Sequence, residues 1–403
     1  MKSLWKWGVV AIAIALFVVW GSQAQDWKIQ SVAQGPDAAR QRVLEPDIAV
    51  APAGKVYISY IDQKANAIKI LQLGGPTAEL VRDTGRVAGT TVAATDELVC
   101  VSWEELSDSS GVHEIWQACW KADLSALASD PVRLSSEGII AGQANGAGWG
   151  EFGLNFDNTF APDGTLYAVW TEDYSKLVAA RTVGGNVQRC GDFPALPIPD
   201  APNRYPTIYV DDKGGVWAAV GDVSNPPGPN IWVFYSNDQC ASWKGPVDVT
   251  PTGLYSDGVG IAILGTKVYF VYDEDQGADP GTANIDVTTC DATPNGPANC
   301  ARKTVHKKGG FPHVATDGKG LYVTSTNESE VKFSYSCDAG EKWVEAHIPN
   351  KYNLGFRDPD FGAALSRMRV ATSPGSSDVY VVWFWRAEGR SNIMLASRPK
   401  PCK

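Results

Sequence analysis

The feature that most restricts how this chain can fold is a phrase that returns seven times along it. Each copy is a short apolar strand, a turn carrying Gly or Asp, and a second strand in which Tyr, Val and Trp alternate. The copies read PDIAVAPAGKVYISYID from Pro46, TVAATDELVCVSWEE from Thr91, LNFDNTFAPDGTLYAVWTED from Leu154 and PTIYVDDKGGVWAAVGD from Pro206. GVGIAILGTKVYFVYDED from Gly258, PHVATDGKGLYVTSTN from Pro312 and MRVATSPGSSDVYVVWFW from Met368 complete the series. A spacing of roughly 45 to 63 residues suits the blades of a β-propeller, and a long β-sandwich would not repeat one strand pair so often.

A third strand follows most copies, as in NIWVFYS from Asn230 and EVKFSYS from Glu330, and a fourth follows that, as in GPVDVT from Gly245. The expected fold is all-β, with seven four-stranded blades; six blades is the alternative. The last copy runs out after SNIMLASR, so the segment from about Asp26 to Val32 is expected to add its outer strand and close the ring, which removes an exposed edge. Forty glycines, 25 prolines and 15 tryptophans, with little helical period, agree with many short strands joined by turns.

At the N-terminus Lys2 and Lys6 precede an apolar run from Gly8 to Trp20 and the small residues Ser22 and Ala24. This is the layout of a signal peptide, and its apolar run of about thirteen residues falls short of the roughly twenty that span a bilayer. Residues 1–24 are therefore expected to be removed, leaving 25–403 as one secreted or extracytoplasmic domain without stable membrane insertion. The formal charge of −10 becomes about −12 once those two lysines are lost, which makes nucleic acid and anionic membranes poor partners, and no nucleic-acid partner is expected. Eight cysteines without a CxxC pair, and only four histidines, point to disulfides rather than zinc.

Two linkers between third and fourth strands carry a resemblance to a known family. Ser336-Cys337-Asp338-Ala339-Gly340-Glu341-Lys342-Trp343 matches every fixed position of the Asp-box pattern S-x-D-x-G-x-x-W. Ser236-Asn237-Asp238-Gln239-Cys240-Ala241-Ser242-Trp243 matches except that Cys240 replaces the glycine. The chain thus resembles the sialidase-like, Asp-box propellers. In that motif Asp caps turn amides, Gly takes a left-handed conformation and Trp packs beneath the blade, so Ser236, Asp238, Trp243, Ser336, Asp338, Gly340 and Trp343 are expected to be folding elements. In this register Cys100 faces Cys119 across the second and third strands of the second blade, and Cys290 with Cys300 closes an outer hairpin. Cys190 with Cys240, and Cys337 with Cys402, would staple neighbouring blades; eight cysteines permit 105 connectivities, so this pairing is a hypothesis.

The resemblance places the working face opposite the Asp boxes. Strand direction then brings to that face the starts of the inner strands, the ends of the second strands and the long loops SDSSGVHE, DVSNPPGPN, DEDQGADPGTAN and GIIAGQANGAGWGEFG. The second-strand ends there form an acidic ring of Asp62, Glu104, Glu105, Glu172, Asp173, Asp222, Asp273, Glu274, Asp275 and Glu328, broken by Arg386. Such a ring, near Trp103 and Trp170, could take sugar hydroxyls or calcium, although alternation makes those tryptophans core residues first. No cofactor is required.

A sialidase of this family uses three arginines, an acid/base aspartate and a tyrosine assisted by a glutamate. The first blade has Arg42-Val43-Leu44-Glu45-Pro46 in place of the usual Arg-Ile-Pro, and Arg204-Tyr205-Pro206 keeps that spacing in the fourth. Arg204, Arg357 and Arg367 are the candidate carboxylate ligands, Asp273 a further ligand-binding candidate, and Asp62 or Asp222 the candidate acid/base. No tyrosine and glutamate pair is assignable. The leading expectation is a glycan-recognition protein, ahead of a retaining exo-glycosidase and a propeller that binds a surface protein. Asn327-Glu328-Ser329 is a glycosylation sequon.

Overall fold

The structure is a computed structural model that describes residues 27–38, 41–106, 113–137, 156–173, 175–197, 203–222, 230–252, 254–275, 283–327, 330–349, 368–387 and 389–403. Among these residues the chain is built from strands alone, in five four-stranded antiparallel sheets and one of seven strands. The first unit shows the plan: Val43–Val50, Val56–Asp62, Ala67–Gln72 and Thr77–Val81 pair in that order. The inner two strands are almost wholly buried, while residues of the outermost strand alternate towards solvent. That gradient is why the repeated phrase is legible only over its first two strands: burial on both faces demands apolar residues there and relaxes outward.

The seven-stranded sheet contains two repeats joined by one long strand, Gly296–Thr316. Its first part pairs with Ala283–Thr293 and its last part with Leu321–Asn327, so it ends one unit and begins the next without a loop. Strand Lys28–Pro36 pairs with Arg390–Pro399, the last described strand, from Lys28 opposite Ser397 to Pro36 opposite Arg390. Asp26 and the signal-like residues 1–24 lie outside the described residues.

Inner strands contact their successors from unit to unit, and Val43–Val50 also contacts Arg369–Ala371 and Asp378–Ala387 of the last unit. The core lies between sheets rather than on one central plane. Trp103, Trp170, Trp217 and Trp383, all on second strands, are among the largest fully buried side chains. Four disulfides join Cys100 to Cys119, Cys190 to Cys240, Cys290 to Cys300 and Cys337 to Cys402. The first is a directly facing pair on neighbouring strands, and the second and fourth tie one repeat to the next. Four disulfides mark a chain that folds in an oxidising, extracytoplasmic compartment. No helix among the described residues is long and apolar enough to cross a membrane.

Candidate functional site

The acidic residues at the ends of second strands are held by neighbours. Asp62, half-buried, meets Lys69 Nζ at 3.2 Å and accepts from the Ala65 amide. Glu105 takes Arg82 Nε at 2.8 Å and the Trp103 indole N–H at 3.3 Å, with the guanidinium lying over Trp103 and Trp116. Glu172 repeats the device: it receives Arg189 at 2.7 Å and the Trp170 indole at 3.0 Å, and Arg189 lies over the same ring. Asp222 accepts from the Trp232 indole at 2.7 Å and the Asn230 amide at 3.0 Å. Glu274 pairs with Arg302, which also reaches Asp286. Alternation explains the recurrence, because a residue two positions after a buried Trp lies on the same side of the strand and can accept its N–H.

Glu104 differs, since it points to the other side of its strand. It is fully buried and lies 2.5 Å from His113 Nδ1; burial pushes its carboxyl pKa up, against the pull of His113 and Arg86. Asp273, at the matching position of the fifth unit, is buried and receives the Phe311 amide at 3.5 Å. Asp173 has a left-handed backbone, φ 47°. Arg386 and Arg42 share Asp37, at 2.9 Å and 2.7 Å. Burial alone would raise the Asp37 carboxyl, but its bonds and charges from the two arginines hold it below the usual range.

A second set of residues holds one equivalent position, the axial position, on the inner strands. Aligning the sheets by register makes Asp47 equivalent to Thr91, Asp157, Thr207, Gly260, His313 and Arg369, each opposite the same position of its second strand. Several of these tie one unit to the next. Asp47 Oδ2 accepts from the Val92 amide at 2.8 Å, Asp157 Oδ2 from the Ile208 amide at 3.2 Å and the Thr207 hydroxyl at 2.7 Å, and His313 Nδ1 from the Val370 amide at 3.2 Å. Arg369 Nε lies 3.4 Å from Asp47 Oδ1 and links the last unit to the first. Burial pushes the Asp47 carboxyl up; the Arg369 charge opposes this and Asp157 adds to it.

Beside this ring, at the starting ends of the inner strands, is an open recess lined by Asp157, Tyr205, Pro206, Thr207, Gly258, Val259, Phe311, Pro312, Met368 and Arg369. Tyr205 and Phe311 meet edge to face, with ring centroids 6.3 Å apart and planes at 88°. Asp157 and Arg369 supply opposite charges, and Thr207 a hydroxyl.

The two eight-residue turns lie at the other end of the sheets. In the fourth unit Arg204 is opposite Gly221 and Gly221 opposite Ile231, whereas Val210, Val216 and Ser236 meet at the far end, where the turn begins. There Ser236 Oγ bonds Asp238 Oδ1 at 2.7 Å and accepts from the Cys240 amide, while Asp238 accepts from the Ser242 amide and hydroxyl. The second turn repeats this through Ser336, Asp338, Gly340 and Lys342. Gly340 has φ 86°, and Cys240, which stands where the pattern has glycine, keeps φ 64°. Trp243 stacks on Phe193 at 4.2 Å, and Trp343 packs against an apolar cluster.

Of the sequence candidates, Arg204 is described in its backbone only, immediately before Tyr205 of the recess. Arg357, Arg367 and Glu328, most of the four long loops and the sequon's Glu328-Ser329 lie outside the described residues, as does the side chain of Asp275. Among the described residues no three of His, Cys, Asp and Glu gather as a metal site. The sequence reading passed over Asp47, Asp157, Tyr205, Phe311 and Arg369, although the dipeptides Glu45-Pro46, Tyr205-Pro206 and Phe311-Pro312 recur at one place in the repeat and were the available signal.

No protein-family model and no curated protein matches this chain. Among solved structures it is similar to a Penicillium chrysogenum α-L-arabinanase complexed with arabinobiose, with TM-score 0.54 and 12% identity over 92% of this chain and 97% of that one. A GH93 α-L-arabinofuranosidase of Fusarium graminearum complexed with arabinobiose gives 0.52 and 12%, over 92% and 98%. A protein of unknown function from Dyadobacter fermentans gives 0.56 and 8%, over 92% and 99%. At such identities the likeness concerns the fold, which is of propeller type.

Proposed function

We propose that residues 25–403, after removal of a signal peptide, form a seven-bladed propeller of the sialidase-like, Asp-box type that recognises a glycan outside the cytoplasm. The observation that carries this reading is the axial recess, in which the Tyr205 and Phe311 rings stand beside Asp157, Thr207 and Arg369 on the face away from the two eight-residue turns. Aromatic rings accept the C–H face of a sugar while a few charged and hydroxyl groups fix its orientation. Two propellers of similar fold hold arabinobiose in their structures, which makes a saccharide the first ligand class to test.

Recognition is favoured over hydrolysis by the state of the carboxylates. Glycoside hydrolysis uses two carboxylates flanking the bond. Among the described residues Asp157 is the one carboxylate of the recess wall, and its Oδ2 already accepts from Thr207 and Ile208. Asp62 and Asp222, the acid/base candidates, hold Lys69 and the Trp232 indole respectively.

A glycan array probed with the mature protein, followed by calorimetry, tests this. Binding to a saccharide that is weakened at least about tenfold by Asp157→Asn is expected, as for a lost hydrogen bond to a charged group. A clean array with no saccharide bound would overturn the reading, and release of sugar from a fluorogenic glycoside would replace recognition by hydrolysis. Arg204→Ala distinguishes ligand charge. It should cost roughly tenfold to a hundredfold for a carboxylate-bearing sugar and little for a neutral one, and Arg204→Lys should recover only part of the loss.

A further inference from the structure

Four inner strands carry one extra residue at the same place, between Leu44 and Asp47, Arg204 and Thr207, Asp257 and Gly260, and Gly310 and His313, while the second unit's bulge, between Val87 and Thr90, comes one register position earlier. In four of these bulges the residue two before the axial position is left-handed: Glu45 at φ 53°, Tyr205 at 51°, Gly258 at 64° and Phe311 at 49°. For Gly258 this conformation is free of steric cost. For a glutamate, a tyrosine and a phenylalanine it is an outlier, and each of the three is followed by proline, which restricts its neighbour further. Bulges re-aim side chains, and strain of this kind gathers at functional sites.

Two of the strained residues, Tyr205 and Phe311, are the two rings of the recess, and the glycine lies on the strand between theirs. A Cβ on Gly258 would stand 3.2 Å from Asp273 Oδ1 and 3.5 Å from Pro312. The bare backbone there leaves room for the buried Asp273 carboxylate and Pro312.

We infer that Tyr205 and Phe311 are held in the left-handed conformation as a fixed aromatic corner of the recess, which reads two apolar surfaces of a neutral sugar. This inference rests on the glycan reading above. Planes at 88° meet a ligand differently: one ring offers its face to the C–H side of the sugar, and the other closes against a neighbouring ring edge or methyl group. Rigid aromatics give contact area at low entropic cost, and the bulge removes the backbone freedom that would otherwise be lost on binding.

The test compares glycine with alanine at positions 205 and 311, because both remove the ring and differ in the backbone. Without ligand, Tyr205→Gly and Phe311→Gly should melt about 1–3 °C above Tyr205→Ala and Phe311→Ala, the reverse of the usual order in a strand. Calorimetry with arabinobiose, and with 3′-sialyllactose as an acidic probe, should show wild-type binding to the neutral sugar and a loss of tenfold or more in all four variants. Glycine variants that melt below their alanine counterparts would overturn the strained corner even if wild-type binding is found. Unchanged affinity in the ring-less variants would overturn its role in reading sugar, as would a preference of wild type for the sialylated probe. Wild type that binds neither probe removes the sugar-reading role, while the melting order still decides the backbone claim.

Discussion

His306 is buried on Gly296–Thr316 and spans two hydroxyls, with Nδ1 2.6 Å from Ser325 and Nε2 2.7 Å from Ser334. Burial, reinforced by the charges of Lys332 and His347, holds its pKa down at about 3, so the folded protein keeps it neutral. The unfolded chain would protonate it near the ordinary value of 6.5. Between those values the unfolded state binds the extra proton, so stability is complete above about pH 6.5 and falls as pH drops towards 3. The slope from this one residue should approach about 1.4 kcal/mol per pH unit. We expect thermal melts from pH 7 to pH 4 to fall less steeply for His306→Gln than for wild type, even though the variant starts lower. Parallel curves would show that the proton is taken up elsewhere.

At the scale of elements, the two turns illustrate how a local sequence pattern becomes geometry. Asp238 is held down at about pKa 2, first by the Ser242 hydroxyl, then by the Ser242 amide and Ser236. Its contribution is present above the ordinary carboxylate range and is lost as pH falls towards 2. Asp238→Ala should cost about 1 kcal/mol, the usual value of a lost cap, and Asp338→Ala should act in the same direction. Sugar binding by either folded variant should be unchanged, because the turns lie away from the recess; lost binding at unchanged stability would invert the faces. Such turns were legible in the sequence because every role in them is filled within eight residues. The second strands were legible for the same reason, since alternation is local. The acidic ring was legible as a pattern, but not its use: whether Glu172 faces a ligand or Arg189 depends on a residue seventeen positions away on another strand. The axial recess was the least legible. Its walls come from five repeats, and what distinguishes Tyr205 and Phe311 is a backbone angle that composition does not record.

Across the whole molecule, long-range links hold the repeats in order. The Cys337–Cys402 disulfide closes a separation of 65 residues. Its removal by paired serine substitutions should cost about 2–4 kcal/mol, to be read from denaturant midpoints against wild type under non-reducing conditions. Deleting Lys28–Pro36 should be more damaging, because it strips the last sheet of its outer strand and Asp37 of its place between Arg42 and Arg386. A truncated chain with wild-type melting behaviour would show that the pairing contributes little. That same pairing also sets a timetable. A ribosome makes Lys28–Pro36 before every other described strand and its partner Arg390–Pro399 after them, so the earliest strand is the one that waits longest. Until Arg390–Pro399 is made, the growing chain carries Lys28–Pro36 as a strand without its partner. Assembly can proceed repeat by repeat, but the first described strand gains its partner only after every other described strand has been made.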